Sequence, residues 1–300
     1  MTNWKLICLT LAWALILAGR GWAADPVLVL SADSPESKQV AAAFKKTFPN
    51  APIKDLEGND QKQRQVGEEL KAKPPAVAVV VGDLAGQMAK WYLGGVPLVY
   101  CDVDKAAKIS LTSTPAVGIY YEPDPVEQLK SIRELFPDKT RIAVLYNPQG
   151  ARLAKPELEA AAKTAGVTLS LVAVDSIKAM PDLIKSTLPN CQLLWVFTDP
   201  DVFSPHSVQY LVLQSLAAKV PIFCGDLELA RGGATAALVP DPRDVGEKAV
   251  AEAKTVIDGQ KPTAGTVRYA KGRLVLNQKT AALMGVSFPP ALLSGAEVIQ

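Results

Sequence analysis

The sequence has a single histidine, His206, and no recognisable group of catalytic residues. His206 lies at a predicted helix start, in Phe-Ser-Pro-His-Ser, a position that suits an exposed side chain better than a general base. No pair of His or Cys falls at metal-ligand spacing. Neither Gly94-Gly95 nor Gly232-Gly233 has the spacing of a phosphate-binding loop. We therefore expect neither enzymatic activity nor a metal or cofactor.

The chain also lacks an excess of charge of one sign. It has 32 Lys and Arg against 30 Asp and Glu, and without residues 1–23, which hold Lys5 and Arg20, each count is 30. Proteins that bind nucleic acids or anionic membrane surfaces through charge need a basic surface. A neutral chain makes nucleic acid an unexpected partner.

No hydrophobic run is long enough to span a bilayer, which takes roughly 20 residues. The apolar run Leu6–Ala18 is instead followed by Gly21-Trp22-Ala23, a small-x-small cleavage pattern. We predict a signal peptide over residues 1–23, cleaved near Ala23 or Ala24, and a mature chain in the periplasm without membrane insertion. An uncleaved anchor is the alternative. Cys8 lies inside the run, so a lipid-anchoring Cys after the cleavage site is not indicated.

Cysteine is scarce, because the mature chain keeps only Cys101, Cys191 and Cys224. An odd number cannot form a complete set of disulfides. Cys101 and Cys224 lie in apolar segments, where thiols pack as small hydrophobic groups. We predict buried free thiols rather than a bridge between these two.

The sequence does contain a regular alternation of apolar and amphipathic segments. Most of the apolar segments have four to six residues, as parallel strands covered on both faces do. Strands are predicted at Val27–Leu30, Val77–Val81, Leu98–Cys101, Val117–Tyr120, Ile142–Tyr146, Leu169–Val174, Leu193–Phe197, Ile222–Cys224 and Ala236–Val239. Helices are predicted at 35–47, 60–72, 84–93, 125–136, 152–165, 177–187, 205–218 and 243–258, with Asp244 and Glu247 as a capping box in the last one. The alternation predicts an α/β fold built from parallel βαβ units.

One apolar strand occurs twice: Val-Pro-Leu-Val-Tyr-Cys-Asp at 96–102 and Val-Pro-Ile-Phe-Cys-Gly-Asp at 220–226. Each copy follows a strand and a helix, which predicts two similar Rossmann-like lobes; chance similarity of two buried strands is the alternative. Paired prolines at 122–125 and 239–242 are candidates for stiff crossings between lobes, or for ordinary Pro-capped loops. We assign residues 24–119 and about 240–264 to the first lobe, and residues 120–239 and about 265–300 to the second.

Polar side chains follow many of these strands, where open parallel sheets bind ligands. Both halves contribute, so a binding cleft between the lobes is expected. Each Ser, Asp, Thr or Asn in the set has an alternative role as a helix cap. The candidate ligand-binding residues are Ser31, Asp33, Ser34, Asp83, Leu84, Asp102, Tyr120, Tyr121, Asn147, Thr198, Asp199 and Asp226.

Several stretches together resemble one family of ABC transporter substrate-binding proteins, the tryptophan/tyrosine-type periplasmic components that are often uncharacterised. They include Gly118-Ile119, Leu135-Phe136-Pro137, Arg141 to Pro148, Phe197-Thr198-Asp199, Val220 to Phe223, and the tail from Leu276-Asn277 to Pro289-Pro290. The resemblance covers about residues 117–293 well and the first lobe weakly. No single motif is specific, but their order and spacing are.

The resemblance implies a type I periplasmic-binding-protein fold, with two lobes joined by three crossing strands. It also implies hinge closure on a small polar, amino-acid-like ligand, with the permease and ATPase as separate chains. The first lobe departs from the family at Gly82-Asp83-Leu84-Ala85 and Cys101-Asp102, where acidic residues favour a ligand with a cationic or hydrogen-bond-donating end. A periplasmic sensor that presents the same fold to a signalling partner is the alternative function.

Overall fold

The computed structural model describes residues 25–103, 110–148, 155–197 and 203–300. The predicted signal peptide and two candidate site residues, Thr198 and Asp199, lie outside these ranges. Within them the strands form two sheets, of six and seven strands, with helices packed against both faces. The α/β class predicted from the sequence is therefore confirmed. No helix in the described part is long and apolar enough to cross a membrane.

The first sheet is parallel throughout, in the order β11-β5-β4-β3-β1-β2. Its β1, β3 and β4 strands are buried along their whole length, because helices cover both faces and only apolar side chains fit there. The strands are β1 (Val27–Leu30), β2 (Ile53–Asp55), β3 (Ala78–Val81), β4 (Leu98–Cys101), β5 (Ala116–Pro123) and β11 (Thr266–Ala270).

Four helices cover this sheet: α1 (Pro35–Thr47), α2 (Asp60–Ala72), α3 (Asp83–Tyr92) and, from far along the chain, α9 (Pro242–Ile257). Helix α9 packs closely on α1, since a Cβ at Gly246 would lie 2.9 Å from the Gln39 carbonyl oxygen. The predicted capping box at Asp244 is wrong. Asp241 is the N-cap and accepts a hydrogen bond from the Arg243 amide at 3.0 Å, one turn earlier than Asp244 and Glu247 suggest.

The second sheet has the order β13-β12-β10-β9-β8-β6-β7 and is parallel except between β10 and β12. Its strands are β6 (Arg141–Tyr146), β7 (Thr168–Ala173), β8 (Leu193–Val196), β9 (Ile222–Cys224), β10 (Ala236–Pro240), β12 (Gly272–Asn277) and β13 (Glu297–Ile299). Its helices are α4 (Pro125–Leu135), α5 (Lys155–Ala165), α6 (Met180–Thr187), α7 (Pro205–Ala218), α8 (Leu227–Arg231), α10 (Gln278–Met284) and α11 (Pro290–Leu293).

The two sheets repeat one strand order. Strands β2-β1-β3-β4-β5 of the first correspond to β7-β6-β8-β9-β10 of the second, the 2-1-3-4-5 order of doubly wound sheets. The repeated Val-Pro segments form β4 and β9, the fourth strand of each series. The sequence repeat therefore marks equivalent strands of two lobes.

The described chain passes between the lobes at three places, each one residue long. These are Asp124 between β5 and α4, Asp241 between β10 and α9, and Lys271 between β11 and β12. The first two crossings lie between the paired prolines that the sequence analysis identified. The predicted boundary at 265 needs correction, because β11 pairs in parallel with β5 and so belongs to the first sheet. Strand β5 likewise carries Tyr120 to Pro123 in that sheet.

Cys101 and Cys224 are buried free thiols, as predicted, and Cys191 is also a buried free thiol. Cys101 lies in the first-sheet core and Cys224 in the second-sheet core, so no bridge joins them.

Candidate functional site

A cleft of about 1440 Å³ lies between the lobes, and residues from both sheets line it. It opens at the carboxyl ends of β4, β5, β6, β9 and β10, where a parallel sheet leaves its strand-to-helix turns. The first lobe contributes the turn after β4 and the start of α1. The second contributes the turns after β6 and β9 and one face of α7.

Four of the candidate residues meet in this cleft: Asp102, Tyr121, Asn147 and Asp226. Asp102 has a φ of 50°, a left-handed conformation that Asp tolerates better than most residues. Asp226 caps α8 by accepting a hydrogen bond from the Leu229 amide at 2.6 Å. Its carboxylate therefore has both roles that the sequence allowed, that of a cap and that of a cleft residue.

Three other candidates do not line the cleft. Ser34 is the N-cap of α1 in a reciprocal capping box with Ser37. Asp33 is exposed and pairs with Lys38 at 3.0 Å. The Ser31 hydroxyl accepts a hydrogen bond from the Ala85 amide at 2.9 Å. It lies so near Gly82 that a Cβ there would approach Ser31 Oγ to 2.6 Å.

The remaining first-lobe candidates also lie away from the cleft lining. Asp83 is in the first turn of α3, and the Leu84 carbonyl accepts a hydrogen bond from Gln63 at 3.0 Å. Tyr120 packs edge-on against Tyr269, with ring centroids 5.7 Å apart. Thr198 and Asp199 lie outside the described residues. Ser34 therefore has the alternative role predicted for it, that of a helix cap. Leu84 and Tyr120 have packing roles.

Four charged cleft residues were missed by the sequence reasoning: Glu36, Glu122, Glu228 and Arg273. Glu36 is in the first turn of α1, Glu122 is inside β5, and Arg273 is at the start of β12. None of them follows directly after a strand. The expectation that ligands bind at the carboxyl ends of strands therefore does not apply to them. A charged residue inside an otherwise apolar strand, as Glu122 is, was the available signal.

Glu122 lies at the base of the cleft, one residue before Pro123 ends the strand. Burial raises its pKa to about 8, while a hydrogen bond from the Gln128 side chain acts in the opposite direction. The same Gln128 amide donates to the Pro123 carbonyl at 2.9 Å. Glu122 is therefore largely protonated at neutral pH and fixed beside the first crossing.

The pKa of Tyr121 is shifted by burial and by the charged groups around it. Its pKa is raised to about 12, first by burial and then by the carboxylates of Glu36, Asp102 and Asp241, whereas Arg273 acts in the opposite direction. Three acidic groups from separate segments therefore act on one phenol.

The opposite wall is apolar and comes mainly from α7. Val208, Val212 and Leu216 lie four residues apart, so they share one face of this helix, and all three line the cleft. Leu213 also lines it and is 56% exposed, an unusual exposure for a large aliphatic side chain. Phe203 extends this surface just before the helix.

Among the described residues, no group of three or more His, Cys, Asp or Glu side chains could hold a metal ion. The arrangement offers a cavity, an acidic end and an apolar wall. It is suited to holding a small molecule between two lobes.

A family model described as "ABC transporter substrate binding protein" matches residues 42–299. No curated protein matches the sequence. The fold resembles several solved structures at low identity. A conserved domain protein from Vibrio cholerae O1 biovar El Tor has 18% identity and a TM-score of 0.62, covering 93% of this chain and 100% of that one.

Two further structures are similar over nearly their whole length. An ABC domain from Streptococcus pneumoniae, solved in complex with L-Trp, has 19% identity and a TM-score of 0.63, covering 92% of this chain and 99% of that one. A ligand-free, open substrate-binding protein with adhesive properties from Clostridium difficile has 14% identity and a TM-score of 0.69, with the same coverage of 92% and 99%. These likenesses establish a shared fold, that of type I periplasmic binding proteins.

Proposed function

The chain belongs to the ABC transporter substrate-binding protein family, and from that premise we propose that it captures a small polar, amino-acid-like ligand between its lobes in the periplasm. The observation that carries the proposal is the cleft itself. Asp102 and Tyr121 from the first sheet face Asn147 and Asp226 from the second across one cavity. A ligand that touches both sets is held only when the lobes approach each other.

Hinge closure is the proposed mechanism. The cleft of about 1440 Å³ exceeds the roughly 300–1,000 Å³ of ordinary small-ligand pockets. The lobes are joined at single residues between β5 and α4, β10 and α9, and β11 and β12, so a few backbone dihedrals can absorb their rotation. A ligand that binds the closed form better shifts the population towards it.

We propose that the mature chain delivers its ligand to a permease and an ATPase encoded as separate chains. The family membership supports these partners, and the apolar run with its small-x-small site at residues 21–23 supports export. Expression of the full chain in a Gram-negative host tests the location. We expect a periplasmic product whose mass corresponds to cleavage near Ala23 or Ala24.

A binding screen tests the capture of a ligand. The mature protein is heated with amino acids, sugars, nucleosides, organic acids and amines, one at a time. A compound that binds only the folded state raises the melting temperature by mass action. We expect at least one class to do so and to reduce the radius of gyration in small-angle scattering. If no compound changes the melting temperature, the binding function is rejected.

A further inference from the structure

Resting on the ligand capture proposed above, but replacing its polar, amino-acid-like ligand, we infer that the ligand is a hydrophobic amine: an ammonium group on a large apolar body, without a carboxylate. The charged lining of the cleft, its apolar wall and the pairing of Arg273 carry this inference. The lining charges concern the ammonium group, the wall concerns the apolar body, and the pairing of Arg273 concerns the absence of a carboxylate.

The charges that line the cleft favour a cation. Over the described part of the lining, five residues carry a carboxyl group and one carries a positive charge, Arg273. The five are Glu36, Asp102, Glu122, Asp226 and Glu228. Glu228 pairs with Arg231 at 2.9 Å at the exposed rim, and Glu122 is held largely protonated by burial. Glu36, Asp102 and Asp226 are the other carboxyl residues of the described lining.

The segments that adjoin the cleft residues in sequence add no net formal charge. Lys155 lies near the cleft, but its ammonium is placed over the Tyr146 ring, 4.7 Å from the centroid. In sequence, residues 104–109, 149–154 and 198–202 together have three acidic and three basic residues. Their formal charge is therefore zero.

A ligand carboxylate would compete with a protein carboxylate for Arg273, the charged donor of the described lining. Arg273 Nη1 is engaged in an ion pair with Glu297 that joins β12 to β13. A carboxylate near Asp102 or Asp226 would face like charge in a partly desolvated site, which raises the free energy of binding. An ammonium group would instead be stabilised there, both by carboxylates and by the ring of Tyr121.

The body of the ligand must be apolar and larger than a methyl or ethyl group. The α7 face of Val208, Val212 and Leu216, with Leu213 and Phe203, forms a continuous apolar wall. Exposed apolar surface of this kind is stabilised when it is covered. A sugar or a small polar amino acid would cover it with hydroxyl or charged groups.

Matched ligand triplets test the inference by calorimetry on the mature protein. Each triplet shares one apolar body: tryptamine, L-tryptophan and indole-3-propionate; phenethylamine, L-phenylalanine and 3-phenylpropionate; octylamine, 2-aminononanoic acid and nonanoate, the last set used below its micellar concentration. We expect binding of at least one amine, and in each triplet that binds, the amine at least about tenfold tighter than the amino acid. The carboxylate should bind weakest.

Two variants locate the charge without disturbing the backbone. Asp226→Asn keeps an oxygen that can cap α8, and Asp102→Asn keeps a residue that tolerates a positive φ. Each substitution should weaken the binding of the tightest-binding amine about tenfold. Asp138→Asn is the control, because Asp138 is exposed at the amino end of β6 and pairs with Lys139. It should bind as the wild type does.

The outcomes separate this inference from the proposed function. If an amino acid or a carboxylate binds more tightly than its amine, or if only non-amine classes bind in the broad screen, the hydrophobic-amine inference is wrong and ligand capture stands. The inference also fails if the two Asn variants bind the amine as tightly as Asp138→Asn does. If no compound of either set binds, ligand capture itself is rejected.

Discussion

The indole Nε1 of Trp195 donates a hydrogen bond to Oε1 of Gln128 across 3.1 Å, between two buried side chains 67 positions apart in the chain. Trp195 is in the middle of β8, and Gln128 is in the first turns of α4. The Gln128 amide nitrogen donates in turn to the Pro123 carbonyl at 2.9 Å. One side chain thus fixes the end of β5, just before the first crossing, to the core of the second lobe.

Replacement of Gln128 should destabilise the protein strongly. Gln128→Met keeps the length of the side chain but leaves the Trp195 indole N–H and the Pro123 carbonyl without this partner in a buried site. We expect a loss of about 1–3 kcal/mol in the free energy of unfolding, measured by urea denaturation. Gln65→Met is the control, because Gln65 is exposed in α2. Equal effects of the two substitutions would contradict the role of the network.

Glu122 should make stability fall as the pH rises. Its pKa is about 8 in the folded state against an ordinary value of 4.5, so between these pH values the folded chain holds a proton that the unfolded chain has released. This contribution is fully present below pH 4.5 and is lost as the pH rises through 8. Glu122→Gln removes it, because the amide does not ionise.

The measurement is the melting temperature of Glu122→Gln relative to the wild type at half-unit steps from pH 5 to pH 9. We expect the relative stability of the variant to increase steadily up to about pH 8 and then to level off. Glu159→Gln, an exposed substitution in α5, should follow the wild type at every pH. If the difference in melting temperature between Glu122→Gln and the wild type does not change with pH, the raised pKa of Glu122 is contradicted.

Ser34→Ala should reduce stability without changing affinity. The Ser34 hydroxyl accepts a hydrogen bond from the Ser37 amide at 3.0 Å and so caps α1, and Ser34 is not part of the cleft lining. Loss of such a cap costs about 1 kcal/mol in the free energy of unfolding. Ser34→Asp restores an acceptor and should recover most of this loss. A tenfold change in the dissociation constant of a ligand found in the screen would return Ser34 to the candidate site.

The thiols of Cys101, Cys191 and Cys224 should be unreactive in the folded state. Burial raises the pKa of Cys191 to about 11 and of Cys224 to about 12, and it raises the pKa of Cys101 as well. At pH 8 they therefore stay protonated, whereas thiolates are the reactive form. We expect almost no reaction with Ellman's reagent under native conditions and a release of three equivalents in guanidinium chloride. Stoichiometric reaction of the native protein would show that a thiol is accessible.

The sequence predicted those parts of the fold that are buried on both sides. Strands such as β1, β4 and β9 have only apolar residues, which leaves little choice between structures. Strands β2, β11, β12 and β13 were missed because they are short or partly exposed and have no clear periodicity. Their place depends on pairing with a neighbouring strand.

The cleft was predictable only where position along a strand determines position in space. Asp102, Asn147 and Asp226 come directly after β4, β6 and β9, so the carboxyl-end rule found them. Glu36 and Arg273 reach the cleft because two lobes face each other, which no local pattern encodes. Ser31 and Ser34 follow β1 in the same way as Asp102 follows β4, yet their hydroxyls are used by neighbouring backbone amides.

Strand β11 and helix α9 belong to the first lobe although they come from the last quarter of the chain. The amino-terminal lobe therefore lacks an edge strand and a covering helix until residue 270 has been synthesised. A fragment that ends before α9 would expose the apolar face of the first sheet around Val99 and Ile119 to water. During biosynthesis the first lobe therefore cannot complete its folding until nearly the whole polypeptide has been made. Neither lobe can be excised as one contiguous piece.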